Sequence, residues 1–327
     1  MQNFRAIVID RNDSGQTVAF RTLGEDDLMA GDVTVRIAHS TVNYKDGLAL
    51  TGKAPIIRKY PLVPGVDFAG TVTASGHPEF KVGDKVILNG CGAGELHHGG
   101  FAELARVPGD WLVALPARLT TSDAMTIGTA GFTAMLCALA LAEQGVKPAD
   151  GEVLVTGAAG GVGSMAVSIL SRLGYRVVAS TGRVSEEAYL KDLGAAAVID
   201  RAEFATPVKP LAKIRWAAAV DSVGSLTLAN VLSQIKYGGT VAACGLAQGS
   251  DLPANVMPFI LRSVKLVGCD SVNCPKPARR NAWLRLAEAL DARQLAAMGS
   301  HVKLDDVPRI ANEIVAGKVR GRVVVDL

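Results

Sequence analysis

Gly157-Ala158-Ala159-Gly160-Gly161-Val162-Gly163 is the stretch whose residue types and spacing say most about chemistry. It follows directly on the apolar run Val153-Leu154-Val155-Thr156. It leads into residues 164–173, where Met165, Ile169 and Leu173 share one helical face. Glycines between a strand and a helix let the backbone approach a pyrophosphate, and the helix then presents unpaired N–H groups and partial positive charge to the phosphates. Ala159, Gly160, Gly161 and Val162 are therefore the expected phosphate contacts. The strict GxGxxG register is broken by Ala158 and preceded by an extra Gly157. The strand and helix on either side, not the glycines alone, distinguish the motif from a plain tight turn.

The next apolar run ends in Ser180-Thr181-Gly182-Arg183. An NAD site would carry Asp or Glu there to bind the ribose hydroxyls. A carboxylate repels a 2′-phosphate, whereas Arg183 pairs with one, and Ser180 and Thr181 add hydroxyl donors. Charged hydrogen bonds of about 1.5–3 kcal/mol correspond to a preference of about 10- to 150-fold, so NADPH is the expected cofactor. Arg201, after the third run, is expected to close over the adenine or the phosphate. For both arginines the alternative is a solvated surface position.

Six apolar runs have to position these groups. They are 153–155, 177–179, 197–199, 217–220, 241–243 and 264–267, and helix-length segments lie between them. Continuous apolar strands alternating with helices predict an α/β fold, a doubly wound parallel sheet covered on both faces. Leu246, Ile260 and Ser271 follow the late strands, at the sheet end where such folds bind ligand. Residues 124–141, almost free of charge, read as a buried helix. Before them, short runs at 6–9, 32–38, 70–74 and 85–88 are broken by Gly and Pro, which predicts a largely antiparallel β domain. The tail reads as a basic helix at 278–290, a helix begun by Pro308 and a strand at 322–325 that is expected to return to the first domain.

At 327 residues, 49% apolar and 20% charged, the chain suits two globular domains. A net charge of +3 leaves no footprint of nucleic-acid binding. Five cysteines without a CxxC pair point to a reduced, cytoplasmic setting. MQNFRAIVID enters a strand pattern without the segments of a signal peptide, and no apolar run approaches the roughly 18–20 residues of a membrane span. A soluble protein with no membrane partner is expected.

The order of parts resembles the medium-chain dehydrogenase/reductase superfamily. So do Asn43-Tyr44-Lys45-Asp46, Pro64-Gly65-Val66-Asp67-Phe68-Ala69-Gly70 and the glycine turn. Residues 127–135, 242–247 and 256–262 are similar to its zinc-free, quinone-oxidoreductase-like branch, above all to NADPH-dependent acrylyl-CoA reductases. The resemblance implies a GroES-like catalytic domain at 1–122 and 271–327 and a Rossmann cofactor domain at 123–270. It implies no metal. Tyr44 to Asp46 and Gly65-Val66-Asp67 stand where zinc members carry Cys and Gly-His-Glu, and His97-His98 lack chelating partners.

By the same resemblance Asn43 and Tyr44 face the nicotinamide, and Thr129 and Phe132 lie near its carboxamide. Tyr44 is then a donor or cofactor clamp, Asn43 and Lys45 are candidate oxyanion partners, and Asp46 and Asp67 are candidates to orient Lys45. Packing, capping or a structural turn is the alternative role for this group. The implied reaction sends hydride to the β-carbon of an enoyl thioester and a proton to its α-carbon. An acyl-CoA partner would call on Lys53, Arg58 and Lys59, with Arg262, Arg279 and Arg280 as a second cluster. A homodimer joined through residues 264–268 is expected. A quinone reductase and a non-catalytic NADPH-binding protein remain the alternative readings.

Overall fold

The computed structural model describes residues 3–13, 15–207 and 209–327. Its internal contacts define two units. One comprises Met1–Thr129, Ser271–Ala287 and Leu295–Leu327, the other Ala130–Asp270 and Glu288–Gln294.

The first unit is built largely on antiparallel pairing, with Gly299–Lys303 and Arg322–Asp326 paired in parallel. Phe4–Asn12 and Gly15–Leu23 form a hairpin. The main sheet runs Gly299–Lys303, Arg322–Asp326, Val33–Val42, Asp67–Ser75, Lys85–Asn89 and Val113–Ala114, with Leu104–Val107 also paired to Val33–Val42. Alternation in Val33–Val42 sends Val33, Val35 and Ile37 into a core with Phe68, Val72, Val86 and Leu88. The C-terminal strand returns to this sheet, Val324 lying opposite Thr41. The helix Tyr44–Thr51 packs on Val307–Val315, the helix with Pro308 in its first turn.

The second unit holds six parallel strands in the order Ala197–Asp200, Arg176–Thr181, Glu152–Val155, Trp216–Asp221, Ile235–Ala243 and Lys265–Gly268. By sequence rank this is 3-2-1-4-5-6, the doubly wound order, with its reversal between Glu152–Val155 and Trp216–Asp221. Leu154, Val178, Trp216, Ala219, Val231 and Val241 fill the core beside it.

Local structure departs from the sequence reading in three places. Residues 124–141 belong to a longer helix, Thr121–Glu143, broken at Gly128 (φ 50°, ψ −163°). That helix is also long and apolar enough to cross a bilayer, contrary to the reading that no segment is; most of its apolar stretch is buried, as in a core helix. The helix after the glycine turn starts at Gly161, not at 164, because the turn itself supplies its first residues. The strand Gly15–Leu23 was not foreseen: most of its residues are exposed, so no apolar alternation marks it.

Candidate functional site

In the second unit the glycine turn stands at the carboxyl end of Glu152–Val155, where strand order reverses. Ala158 N donates to the Ser180 carbonyl (3.0 Å) and Gly160 N to the Gly157 carbonyl (2.9 Å). Gly157 has φ 61°, and a Cβ on Gly163 would lie 2.2 Å from the Gly157 carbonyl oxygen, so both positions demand glycine. Gly160 is the N-cap of Gly161–Arg172, which leaves the N–H groups of Gly161, Val162 and Gly163 in the first turn, where no preceding helical carbonyl can serve them. Such an end binds anions.

Asp221 braces the turn from the fourth strand and has no counterpart in the sequence reading. Its carboxylate accepts from Thr156 Oγ1 (2.7 Å) and Gly224 N (2.8 Å), and Ser222 Oγ donates to the Thr156 carbonyl (3.1 Å). Burial pushes Asp221 above the usual carboxylate range, against the pull of these donors. The signal available in the sequence was an acidic residue closing the apolar run 217–220.

Near the turn lie residues expected to choose the cofactor. Arg183 Nη2 donates to the Ala159 carbonyl (2.8 Å), and its backbone N–H donates to Thr181 Oγ1 (3.0 Å). Arg201 lies over Gly182: a Cβ there would come within 2.4 Å of Arg201 Nε. Arg183 thus adjoins Ala159 and Arg201 adjoins Gly182, while Ser180 and Thr181 are buried at the strand end, Thr181 Oγ1 being held by Arg183 N. Asp200, opposite Thr181 in the parallel register, accepts from Ala202 N (2.8 Å) and caps the next turn. Leu246 and Ile260, also in this unit, are 65% and 72% exposed, leaving apolar surface open.

The first unit holds a buried polar network. Asp67 Oδ2 accepts from Asn43 Nδ2 (2.9 Å) and Thr129 N (2.8 Å); its Oδ1 accepts from Asn89 Nδ2 (2.9 Å) and the Thr129 hydroxyl. Asp46 accepts from Asn43 N (2.8 Å), Asn43 Nδ2 (3.2 Å) and Val66 N (3.0 Å). Arg322 Nη2 reaches Asn43 Oδ1 and Thr41 Oγ1, both at 3.0 Å. The kink at Gly128 lets these groups meet, since a Cβ there would lie 2.7 Å from Arg322 Nη2 and 3.0 Å from Asp67 Oδ2. Burial, with the nearby Asp67 charge, pushes Asp46 up to about 7 against its three donors.

This network changes several assigned roles. Asn43 has both amide hydrogens committed to carboxylates and its oxygen held by Arg322, so no donor remains for an oxyanion. Asp46 and Asp67 position Asn43 and Thr129, not Lys45. Lys45 pairs with Glu95 (3.0 Å). Tyr44, by contrast, opens the helix Tyr44–Thr51 and is 48% exposed. Ser271 gives its carbonyl to Arg279 Nη2 (3.0 Å).

Among the basic residues, Lys53, Arg58 and Lys59 are exposed in the first unit. Of the second group, Arg262 belongs to the parallel-sheet unit and Arg279 and Arg280 to the first. Arg262 donates to the carbonyls of Ser233 and Ala212 (2.8 Å each), Arg279 is 2% exposed and bonded to the Asn89 carbonyl (2.7 Å), and Arg280 pairs with Glu79. Arg262 and Arg279 fasten backbone carbonyls, whereas Arg280 stays in an exposed ion pair.

A parallel sheet with a glycine turn at its switch point, in a chain that also carries a β-rich unit, defines a nucleotide-dependent oxidoreductase architecture. The chain matches an alcohol dehydrogenase GroES-like domain over residues 29–117 and a zinc-binding dehydrogenase domain over 161–291. It belongs to the medium-chain dehydrogenase/reductase superfamily.

Its relatives include the probable acrylyl-CoA reductase AcuI of Escherichia coli K12, 52% identical over 98% of this chain and 99% of that one. The acrylyl-CoA reductase AcuI of Ruegeria pomeroyi is 51% identical over 99% of each. The yhdH oxidoreductase of Salmonella enterica, solved in complex with NADP, is 52% identical, covers 99% of each chain and superposes with a TM-score of 0.97.

Zinc, which the second family model names, does not fit the residues present. Among the described residues no group of three or more His, Cys, Asp or Glu side chains could hold a metal. Asp67 has its carboxylate engaged by four donors. His97 Nε2 meets the Ala30 carbonyl (3.0 Å), and His98 Nδ1 accepts from Val63 N (3.1 Å).

Proposed function

We propose that this chain reduces the C=C bond of acrylyl-CoA to propionyl-CoA with NADPH. The observation that carries the reading is full-length identity of 52% and 51% to two proteins named for that activity. Arg183, beside the phosphate turn, and Arg201 over Gly182 fit the phosphorylated cofactor. We read the sheet unit as the cofactor domain and the β-rich unit as the catalytic domain.

When bound, NADPH supplies the hydride that the β-carbon receives. The chain's own task is to hold the thioester and meet the negative charge that develops on its oxygen. Tyr44, exposed and carrying a hydroxyl, is the residue assigned to donate there. Asn43 acts one step back by fixing Thr129 and the start of the Tyr44 helix through Asp46 and Asp67. Lys53, Arg58 and Lys59 are assigned to the phosphates of CoA. No step is assigned to a metal. The edge strand Lys265–Gly268 has one unpaired side within its sheet, which supports a homodimer joined there. A cytoplasmic setting completes the reading.

The test is NADPH oxidation with acrylyl-CoA, crotonyl-CoA and a benzoquinone under identical conditions. The expected result is the highest kcat/KM with acrylyl-CoA. A benzoquinone rate above the acrylyl-CoA rate would overturn the assignment in favour of a quinone reductase. NADPH binding without turnover of any acceptor would make it a non-catalytic protein.

A further inference from the structure

We propose a second chemistry in the β-rich unit: Ser122, His301 and Asp326 act as nucleophile, base and orienting carboxylate, and hydrolyse small activated esters without a nucleotide. His301 Nε2 lies 3.2 Å from Ser122 Oγ, and His301 Nδ1 lies 2.7 Å from Asp326 Oδ1. These are the two contacts that activate a serine, whatever fold supplies them.

Strand pairing and a helix end bring the three together. His301 stands opposite Val324 in the parallel pair Gly299–Lys303 and Arg322–Asp326, so Asp326, two residues on, shares its face. The antiparallel neighbour sets His39 opposite Asp326. Ser122 comes from the first turn of Thr121–Glu143. Thr120 closes that turn: its carbonyl accepts from Ala124 N (3.0 Å), its hydroxyl accepts from Asp123 N (3.0 Å), and Asp123 Oδ2 accepts from Thr120 N (2.9 Å). The Ser122 N–H has no preceding helical carbonyl to serve it and stands next to its own hydroxyl, as a donor for a developing oxyanion must.

The roles follow from hydrogen-bonding capacity. Against the push of burial, His301, His39 and Lys303 hold Asp326 below the usual carboxylate range. An ionised carboxylate only accepts, so His301 Nδ1 carries the ring hydrogen and Nε2 is left to take the Ser122 proton. His39 is not equivalent: its Nδ1 meets the Thr121 hydroxyl (2.9 Å), but its Nε2 is 3.7 Å from Asp326 Oδ1, beyond hydrogen-bond reach. The His301 side chain is 46% exposed and that of Asp326 29%, so an ester meets the base from solvent while the carboxylate sits deeper.

The step balances with water as the co-reactant. Ser122 Oγ bonds to the ester carbonyl carbon as its proton passes to His301 Nε2. The bond from that carbon to the alcohol oxygen breaks, and His301 returns the proton to the departing alcohol. Water, deprotonated by the same nitrogen, then releases the acyl group from Ser122. One ester and one water become one carboxylic acid and one alcohol.

The test is hydrolysis of p-nitrophenyl acetate by the full-length protein with no NADPH present. The expected result is saturable release of p-nitrophenol, with acetyl transiently on Ser122 in a peptide map of acid-quenched wild type, a readout that needs no variant to fold. S122A and H301Q should each lose about 100-fold, the lower end of what a positioned base contributes, while keeping NADPH binding. H39Q should retain the rate within about threefold, well under the 1.4 kcal/mol of a tenfold change. A rate unchanged in S122A, acetyl found only on lysine or cysteine, or a wild-type rate no higher than that of free imidazole at equal concentration would each overturn the proposal.

Discussion

Replacing Arg183 with alanine tests how this chain separates NADPH from NADH. The guanidinium is already anchored by its bond to the Ala159 carbonyl, so part of the ordering that would oppose phosphate binding is complete before the cofactor arrives. One or two charge-assisted hydrogen bonds to a 2′-phosphate, at about 1.5–3 kcal/mol, predict a loss of about 10- to 150-fold in kcat/KM for NADPH. Arg201 over Gly182 remains and keeps the loss toward the lower end. NADH has no group for Arg183 to recognise, so its kcat/KM should stay within about twofold of wild type, well under 1 kcal/mol. Steady-state kinetics with both cofactors at one ionic strength measures the two ratios side by side. A parallel fall for both cofactors would refute the reasoning, because it would mean that the lost Ala159 contact had collapsed the phosphate turn. An unchanged NADPH value would refute it equally.

Two further outcomes follow from the packing. Gly163→Ala forces a methyl group against the Gly157 carbonyl, so stability should fall by about 1–3 kcal/mol in urea unfolding and NADPH fluorescence enhancement should be lost. Asp46 lies at about 7 in the folded chain against 3.8 in its absence, so the folded state binds the extra proton between those values. Its contribution to stability is present below about pH 4 and disappears as pH rises through 7, on the order of 4 kcal/mol at 1.36 kcal/mol per unit. Wild type minus D46N, by urea unfolding across that range, should shrink as pH rises; a constant difference would show that Asp46 stays ionised throughout.

Most of the parallel-sheet unit was legible in the sequence, because such a sheet writes its strands as continuous apolar runs and its first turn as glycines. All six runs fall on the six strands, and Ser180, Thr181, Arg183 and Arg201 assemble where the second and third strands end. These signals are local: each depends on residues within one βα unit.

The first unit's polar network was not legible, since it joins Asn43, Asp67, Asn89, Thr129 and Arg322 from positions far apart in the chain. Residue type alone made Asn43 and Lys45 resemble oxyanion donors. Only the folded backbone decided that Asn43 bridges two carboxylates and Arg322, and that Lys45 answers Glu95. The kink at Gly128 has the same origin: nothing in an apolar helical stretch announces a break whose purpose is to clear Arg322 and Asp67. Sequence fixes what a short segment prefers, while hydrogen-bond saturation of a buried group depends on every partner that folding brings to it.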